Sequence, residues 1–412
     1  MGEIDGVLSR VHRDEWPRVV AALARRFGDL GVAEEMTAEA FLRAVERWPE
    51  DGVPPNPGAW LTTTAYRRAI DRLRRESKRD AKHAEALLLH RPCRPGPDIE
   101  DDRLRLVLIC CHPALSMQAR VALTLRMVAG LTVPQIAQAF LVTDVAMSRR
   151  ITRAKATIKT ANIAWHAPVA EDLPPRLNGV LTVIYLIFNE GYLTPRRYRD
   201  AASPELSDEA LRLARLVHAM APRHDETAGL LALLLLTQAR RAARISHDDE
   251  LVPLDVQDRT VWDQTMIDQG HALVRACLDS GRPVGRFQIL AAINAVHTDA
   301  ARFEDTDWSQ VLALYDQLTQ VDPSPIVRLN RAVAVAEMHG PTRALAEVDQ
   351  LPLAGYYAYH ATRADLLRRQ GLCDQARDAY DRAIRLATDP ATGAFLRRRR
   401  ANLRRDETGR LG

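Results

Sequence analysis

The sequence predicts an all-α protein, on three observations. Aromatic residues make up only 5% of the chain and the Val/Ile/Thr alternation of half-buried strands is scarce, while Ala, Leu and Arg abound. Apolar residues recur at three- and four-residue spacing along most of the length, which places them on one face of a helix. Prolines gather into breaks between such stretches. With 412 residues, 47% hydrophobic and 27% charged, the chain can build about two to four cores and is too apolar for wholesale disorder.

From the N-terminus, Val11, Trp16, Val19, Val20, Leu23 and Phe27 line one face of a first helix. Phe41, Leu42, Val45 and Trp48 line a face of the second, and Thr37 offers N-cap chemistry ahead of AEAFLRAVERW. The PPNP run at Pro54 to Pro57 ends that helix, and a third follows over about Trp60 to Glu76 with Leu61, Ala65, Ile70 and Leu73 inward. These helices form a module over residues 9–77. Residues 78–101, with a charged KRDAKH run and the Pro-rich RPCRPGPDIEDD, read as a flexible linker.

Residues 102–165 hold three or four helices. Thr132 caps a short helix to Phe140 with Pro134 in its first turn, where a missing N–H costs nothing. After a break at Leu141 to Thr143, a longer helix runs from Asp144 to Lys159 with Val145, Met147, Ile151, Ala154 and Ile158 inward. A short helix, a tight turn and a longer basic helix form a helix-turn-helix pattern. A second break, His166 to Pro175, precedes a helical remainder. Residues 176–299 show no clear period. In residues 300–405, LALYDQLTQVDP (Leu312 to Pro323) and ARDAYDRAIRLATDP (Ala376 to Pro390) echo each other with RALAEVDQLP (Arg343 to Pro352) between them. Tyr315 and Tyr380 lie 65 residues apart, close to two tetratricopeptide (TPR) periods of about 34, so this part reads as TPR-like.

The formal charge of +4 is unevenly placed. Residues 1–165 hold 26 Lys and Arg against 20 Asp and Glu, a net of +6, and the remainder holds 31 against 33, a net of −2. A polyanionic partner therefore belongs to the N-terminal part. Five cysteines form no disulfide framework and suit a reducing compartment. The N-terminus lacks a signal pattern, and Gly229 to Leu236, the most apolar stretch, falls far short of the roughly 18 residues of a spanning helix. The expectation is a soluble, cytoplasmic protein that meets no membrane.

No Gly-rich phosphate loop, His-Glu-x-x-His or nucleophile elbow is present, so the chain reads as no enzyme, with no catalytic residue and no cofactor. Cys110, Cys111 and His112, with Cys93, raise a metal reading. Adjacent helical cysteines diverge by about 100° and no second Cys/His pair has zinc spacing, so core packing is the better reading and no metal is assigned. Asn189-Glu190 before Gly191 reads as a helix end rather than a catalytic carboxylate.

Two helices carry the basic residues. WLTTTAYRRAIDRLRRE bears Arg67, Arg68, Arg72, Arg74 and Arg75 beside Trp60, Thr62, Thr63, Thr64 and Tyr66. Arginines grip phosphate bidentately and aromatic rings stack on unpaired bases, although a solvated basic face has the same composition. The helix from Asp144 carries Ser148, Arg149, Arg150, Thr152, Arg153, Lys155 and Lys159 outward, where a helix-turn-helix meets base edges and phosphates.

Taken in order, GVAEEMTAEAFLRAVERWP, NPGAWLTTTAYRRAIDRLRRE and ARVALTLRMVAGLTVPQIAQAFLVTDVAMSRRITRAKATIK resemble regions 2 and 4 of an RNA polymerase sigma factor of the extracytoplasmic-function (ECF) class, within the sigma-70 family. VIYLIFNEGYLTP, LNRAVAVAEMHGP and HATRADLLRRQG resemble the long C-terminal extension, ending in TPR-like repeats, of one ECF subgroup. The resemblance implies two small helical sigma domains, a region 2 bundle and a region 4 helix-turn-helix, followed by a helical-repeat domain.

It also implies partners. Region 2 would dock on the β′ clamp helices of core RNA polymerase through Glu35, Met36, Thr37, Glu39, Phe41 and Arg43; this chain has Met36, Thr37, Ala38 and Glu39 where many members carry a Val-Gln-Glu run. Region 2 would also melt the minus-10 element and capture its bases through Asn56, Trp60, Thr63, Thr64, Arg67, Arg68, Arg72 and Arg75. Region 4 would meet the β flap and read the minus-35 duplex through Ser148, Arg149, Arg150, Arg153 and Lys155. The extension would bind regions 2 and 4 or a protein regulator. The competing reading is a stand-alone helix-turn-helix regulator with a TPR-like sensor; a repeat scaffold with an incidental basic part sits poorly with the charge asymmetry.

Overall fold

A computed structural model describes residues 2–77, 102–140, 142–161, 163, 173–193, 206–244, 251–279, 281–387 and 390–408. The linker expected over 78–101, and Cys93 within it, lie outside these residues. All regular elements among the described residues are helices or helical turns. The chain divides into two compact units, one of residues 1–191 with 204–220 and one of 192–203 with 221–412. The segment 176–299, read from sequence as one extension domain, is thus shared between them.

In the first unit α1 (Gly2–Phe27), α2 (Leu30–Asp51) and α3 (Pro57–Ser77) pack on one another. Trp16, Val19, Val20, Leu23 and Phe27 of α1 meet Met36, Phe41 and Trp48 of α2 and Leu61, Ala65, Ala69 and Leu73 of α3 in a buried core. Gly28 ends α1 at φ +68°, its N–H donating to Ala24 O at 2.8 Å. Asp29 then caps α2, with Oδ1 accepting from Gly31 N at 2.7 Å and Val32 N at 3.1 Å. The cap expected at Thr37 is therefore corrected. Thr37 lies inside the helix, buried, and its Oγ1 donates to Ala33 O at 2.7 Å.

Four helices follow: α4 (Asp102–Cys110), α5 (Met117–Met127), α6 (Val133–Ala139) and α7 (Asp144–Thr160). Their boundaries are set by local caps. Ser116 Oγ accepts from Ala119 N, Thr132 and Gln135 form a reciprocal box at α6, and Thr143 Oγ1 accepts from Ala146 N. Cys110 and Cys111 are buried, and desolvation raises both thiols, Cys111 to about 11. Helices α8 (Leu173–Leu193) and α9 (Leu206–Met220) begin the extension, and Arg212 of α9 donates to Val128 O at 3.4 Å. Gly191 does not stop α8. A Cβ there would sit 2.3 Å from Ser207 N, so the glycine lets α9 begin in close contact.

In the second unit α10 (Asp225–Ala239), buried nearly all round, packs against α11 (Gln264–Asp279) and α12 (Arg286–Asp299). Glu226 of α10 accepts from Phe287 N and Gln288 N, both at 3.0 Å, closing the first turn of α12. Three helix pairs complete the unit: α13 (Trp308–Val321) with α14 (Pro325–His339), α15 (Pro341–Val348) with α16 (Tyr357–Arg369), and α17 (Cys373–Leu386) with α18 (Pro390–Thr408). The odd-numbered helices of this series start at Trp308, Pro341 and Cys373, spacings of 33 and 32 residues, and the even-numbered ones at Pro325, Tyr357 and Pro390, spacings of 32 and 33.

Candidate nucleic-acid interface

Helix α7 separates its faces cleanly. Met147, Ile151, Ala154 and Ile158 are buried, while Ser148, Arg149 and Arg153 are exposed and Arg150 is half-buried. Val145, expected inward, is 60% exposed, because it lies one residue out of phase with that core stripe. Lys155 points elsewhere: its Nζ donates to Glu34 Oε2 of α2 at 2.7 Å.

Helix α3 buries Leu61, Ala65, Ala69 and Leu73 and turns Thr63, Arg67 and Arg75 to solvent, with Thr64, Arg68 and Arg72 half-buried. Asn56 caps it, Oδ1 accepting from Ala59 N at 3.0 Å. Trp60 meets Trp48 edge-on with ring centroids 5.5 Å apart, so its ring already has a partner in the bundle. Two of the arginines are engaged by α2: Arg72 pairs with Glu35, and Arg68 Nε lies 3.8 Å from Glu39 Oε2.

Helix α2 presents the residues expected to dock on polymerase, and here the sequence reading is corrected. Met36, Thr37 and Phe41 are buried in the core of the bundle and have no surface to offer a partner. Glu35 and Arg43 are exposed, Glu39 is half-buried, and Arg43 pairs with Glu46 at 3.1 Å. Between them stand two residues assigned to the core from sequence, Leu42 at 60% and Val45 at 53% exposure. Glu35, Glu39, Leu42 and Glu46 recur at helical spacing and form one outward stripe, an apolar centre flanked by carboxylates. Its signal in the sequence was the small-residue stripe Ala33, Ala40 and Ala44, which takes the inward face instead.

Two further carboxylates of the bundle face the helix-turn-helix. Glu34 accepts from Arg126 Nε at 2.5 Å as well as from Lys155, and these cations hold its carboxyl below the usual range against the opposing effect of burial. Asp29 Oδ2 accepts from Lys159 Nζ at 2.9 Å. Above them His12, Trp16 and Phe41 form an aromatic cluster with centroids 4.8 to 5.8 Å apart, and the Arg126 guanidinium lies 5.3 Å from the Trp16 ring. Desolvation first, then Arg126, lowers the His12 pKa to about 4.

Comparison with known proteins is consistent with this geometry. Residues 12–79 match the family model described as Sigma-70 region 2, and residues 105–158 that of Sigma-70, region 4. Residues 176–278 match a family of unknown function, DUF6596. An uncharacterized protein of Rhizobium meliloti (strain 1021) is 44% identical over 391 residues, covering 92% of each chain. The ECF RNA polymerase sigma factor SigK of Mycobacterium ulcerans (strain Agy99) is 32% identical over 126 residues, 29% of this chain and 67% of that one. The SigK of Mycobacterium sp. (strain KMS) is 32% identical over 137 residues, 29% of this chain and 65% of its own. No helix among the described residues is long and apolar enough to cross a membrane.

Proposed function

The chain belongs to the ECF class of the sigma-70 family, and from that premise we propose that it binds core RNA polymerase through α2 and carries it to promoters through α3 and α7. The carrying observation is the outward stripe of α2. Leu42 and Val45 stand in solvent between Glu35, Glu39 and Glu46, which a protein acting on DNA alone has no use for, and an apolar centre with a charged rim suits a protein partner. The β′ clamp helices are that partner, with the β flap meeting region 4. Arg149, Arg150, Arg153 and Ser148 then face the minus-35 duplex, and Thr63, Thr64, Arg67, Arg68, Arg72 and Arg75 the melted minus-10 strand, where arginines hold phosphates and the hydroxyls reach base edges. Asn56 and Trp60 support that face by capping α3 and bracing its first turn. The helix pairs of residues 308–408 recur at the TPR spacing and form a regulatory extension. Its place of work is the cytoplasm.

Run-off transcription with core polymerase tests the reading. Added full-length chain should produce promoter-dependent initiation, and Arg149→Ala should reduce initiation at a cognate promoter more than binding to random duplex. Tight binding to free promoter duplex without any initiation would instead identify a stand-alone regulator.

A further inference from the structure

We infer that the first unit is a closed state in which region 2 and region 4 hold each other, with Glu34 as the latch. The purpose of opening rests on the sigma-factor reading; the closed state itself does not. Glu34 is a part-buried fork whose side chain is 12% exposed. One oxygen takes Arg126 from the end of α5 and the other takes Lys155 from the middle of α7, so a single carboxylate ties two helices of region 4 to the start of α2. Lys159–Asp29 at 2.9 Å and Arg25–Asp102 at 3.2 Å flank it. The turn between α5 and α6 is pressed onto the same surface. Gly130 sits at φ +74°, and a Cβ there would lie 2.8 Å from His12 and 3.1 Å from Trp16. Trp16, 2% exposed, keeps its indole N–H buried without an acceptor, a desolvation cost at the seam between the two regions.

The contact competes with DNA on two counts. Lys155 lies about one and a half turns beyond Arg150 on the promoter-facing helix, and a phosphate that draws its Nζ outward takes it from Glu34 Oε2. Region 4 on the minus-35 duplex and region 2 on the melted minus-10 element must also stand apart by about 25 base pairs, about 85 Å of DNA at about 3.4 Å per base pair. A polyanion that takes Lys155 therefore pulls the equilibrium open, and the fraction of open chains sets the apparent affinity.

The test uses the free full-length chain, without polymerase, and two variants, Glu34→Gln and Lys159→Glu. Hydrogen–deuterium exchange should show α7 and the first turns of α2 losing protection together in both. Glu34→Gln should bind a fluorescein-labelled random-sequence duplex about tenfold more tightly if about nine chains in ten are closed. Glu50→Gln removes the same charge at the far, exposed end of α2 and controls for general electrostatics. The inference is overturned if Glu34→Gln matches Glu50→Gln in exchange and affinity. Should Glu34→Gln lose helical circular dichroism, exchange in Lys159→Glu decides: unchanged protection of α7 and α2 overturns the inference and joint loss supports it. A chain that opens in this way yet fails run-off transcription would keep the latch and lose the sigma-factor reading.

Discussion

Leu42 and Phe41 are neighbours in sequence with opposite expected roles, which makes the α2 stripe a sharp place to test docking. Replacing Leu42 and Val45 together by serine removes the apolar centre and leaves every carboxylate in place. Full burial of a Leu or Val side chain is worth about 1.5–3 kcal/mol. Scaled by exposures of 60% and 53%, a partner that covers both gains about 2–3 kcal/mol from them. The double variant should therefore bind core polymerase roughly 30- to 150-fold more weakly. Its thermal stability should change by less than about 0.5 kcal/mol, because neither side chain packs inside. Phe41→Ala, by contrast, empties a site that is 7% exposed and should destabilise the unit by about 3–5 kcal/mol. Biolayer interferometry of full-length chains on immobilised polymerase, paired with thermal unfolding, separates the two effects. An affinity for the double variant within twofold of the parent would refute docking through this stripe.

Two further outcomes follow from the packing and the titrations. His12 has a folded pKa of about 4, below its ordinary 6.5, because burial and Arg126 favour the neutral ring; its contribution is present above pH 6.5 and lost as pH falls through the window down to about 4. Between pH 7 and pH 5 that amounts to about 2 kcal/mol, which urea unfolding of the parent should show and His12→Phe should largely remove; equal pH slopes in both would contradict it. In α10, a Cβ on Gly229 would fall 2.6 Å from Gln288 N of α12, a backbone atom that cannot swing away. Gly229→Ala should cost about 1–3 kcal/mol despite better helix propensity. Gly179→Ala in α8, where a Cβ meets nothing within 4 Å, should instead raise thermal stability slightly.

How far the sequence carries depends on whether a feature is local. The helix-turn-helix was legible because Thr132 and Pro134 act within their own first turn, and the structure starts α6 and α7 on either side of the expected break at Leu141 to Thr143. Caps misled where two were available. Asp29 and Thr37 both suit an N-terminus, and only the core shows that the cap of α2 lies eight residues before Thr37, at Asp29. The phase of α2 was lost for a related reason. Apolar residues occupy more than one of its faces, and the inward one combines the small Ala33, Ala40 and Ala44 with Met36, Phe41 and Trp48, leaving Leu42 and Val45 outside. Glu34 could not be read at all, since its partners lie 92 and 121 residues away.

The charge distribution gains a different meaning from these pairings. The net +6 of residues 1–165 suggested a surface open to a polyanion. In the structure the acids of α2 are set against cations of α3 and α7: Glu35 on Arg72, Glu39 on Arg68 and Glu34 on Lys155. Carboxylates thus neutralise cations of α3 and α7 locally, while the net +6, which already counts them, is unchanged. The first two pairs are partly solvent-exposed and are worth at most about 1 kcal/mol each, so salt or DNA displaces them readily. The third is largely buried and shares its carboxylate with Arg126, so it resists displacement more. On the sigma-factor reading, polymerase engaging Glu39 would also take that carboxylate from Arg68, which ties DNA capture by α3 to prior docking of α2.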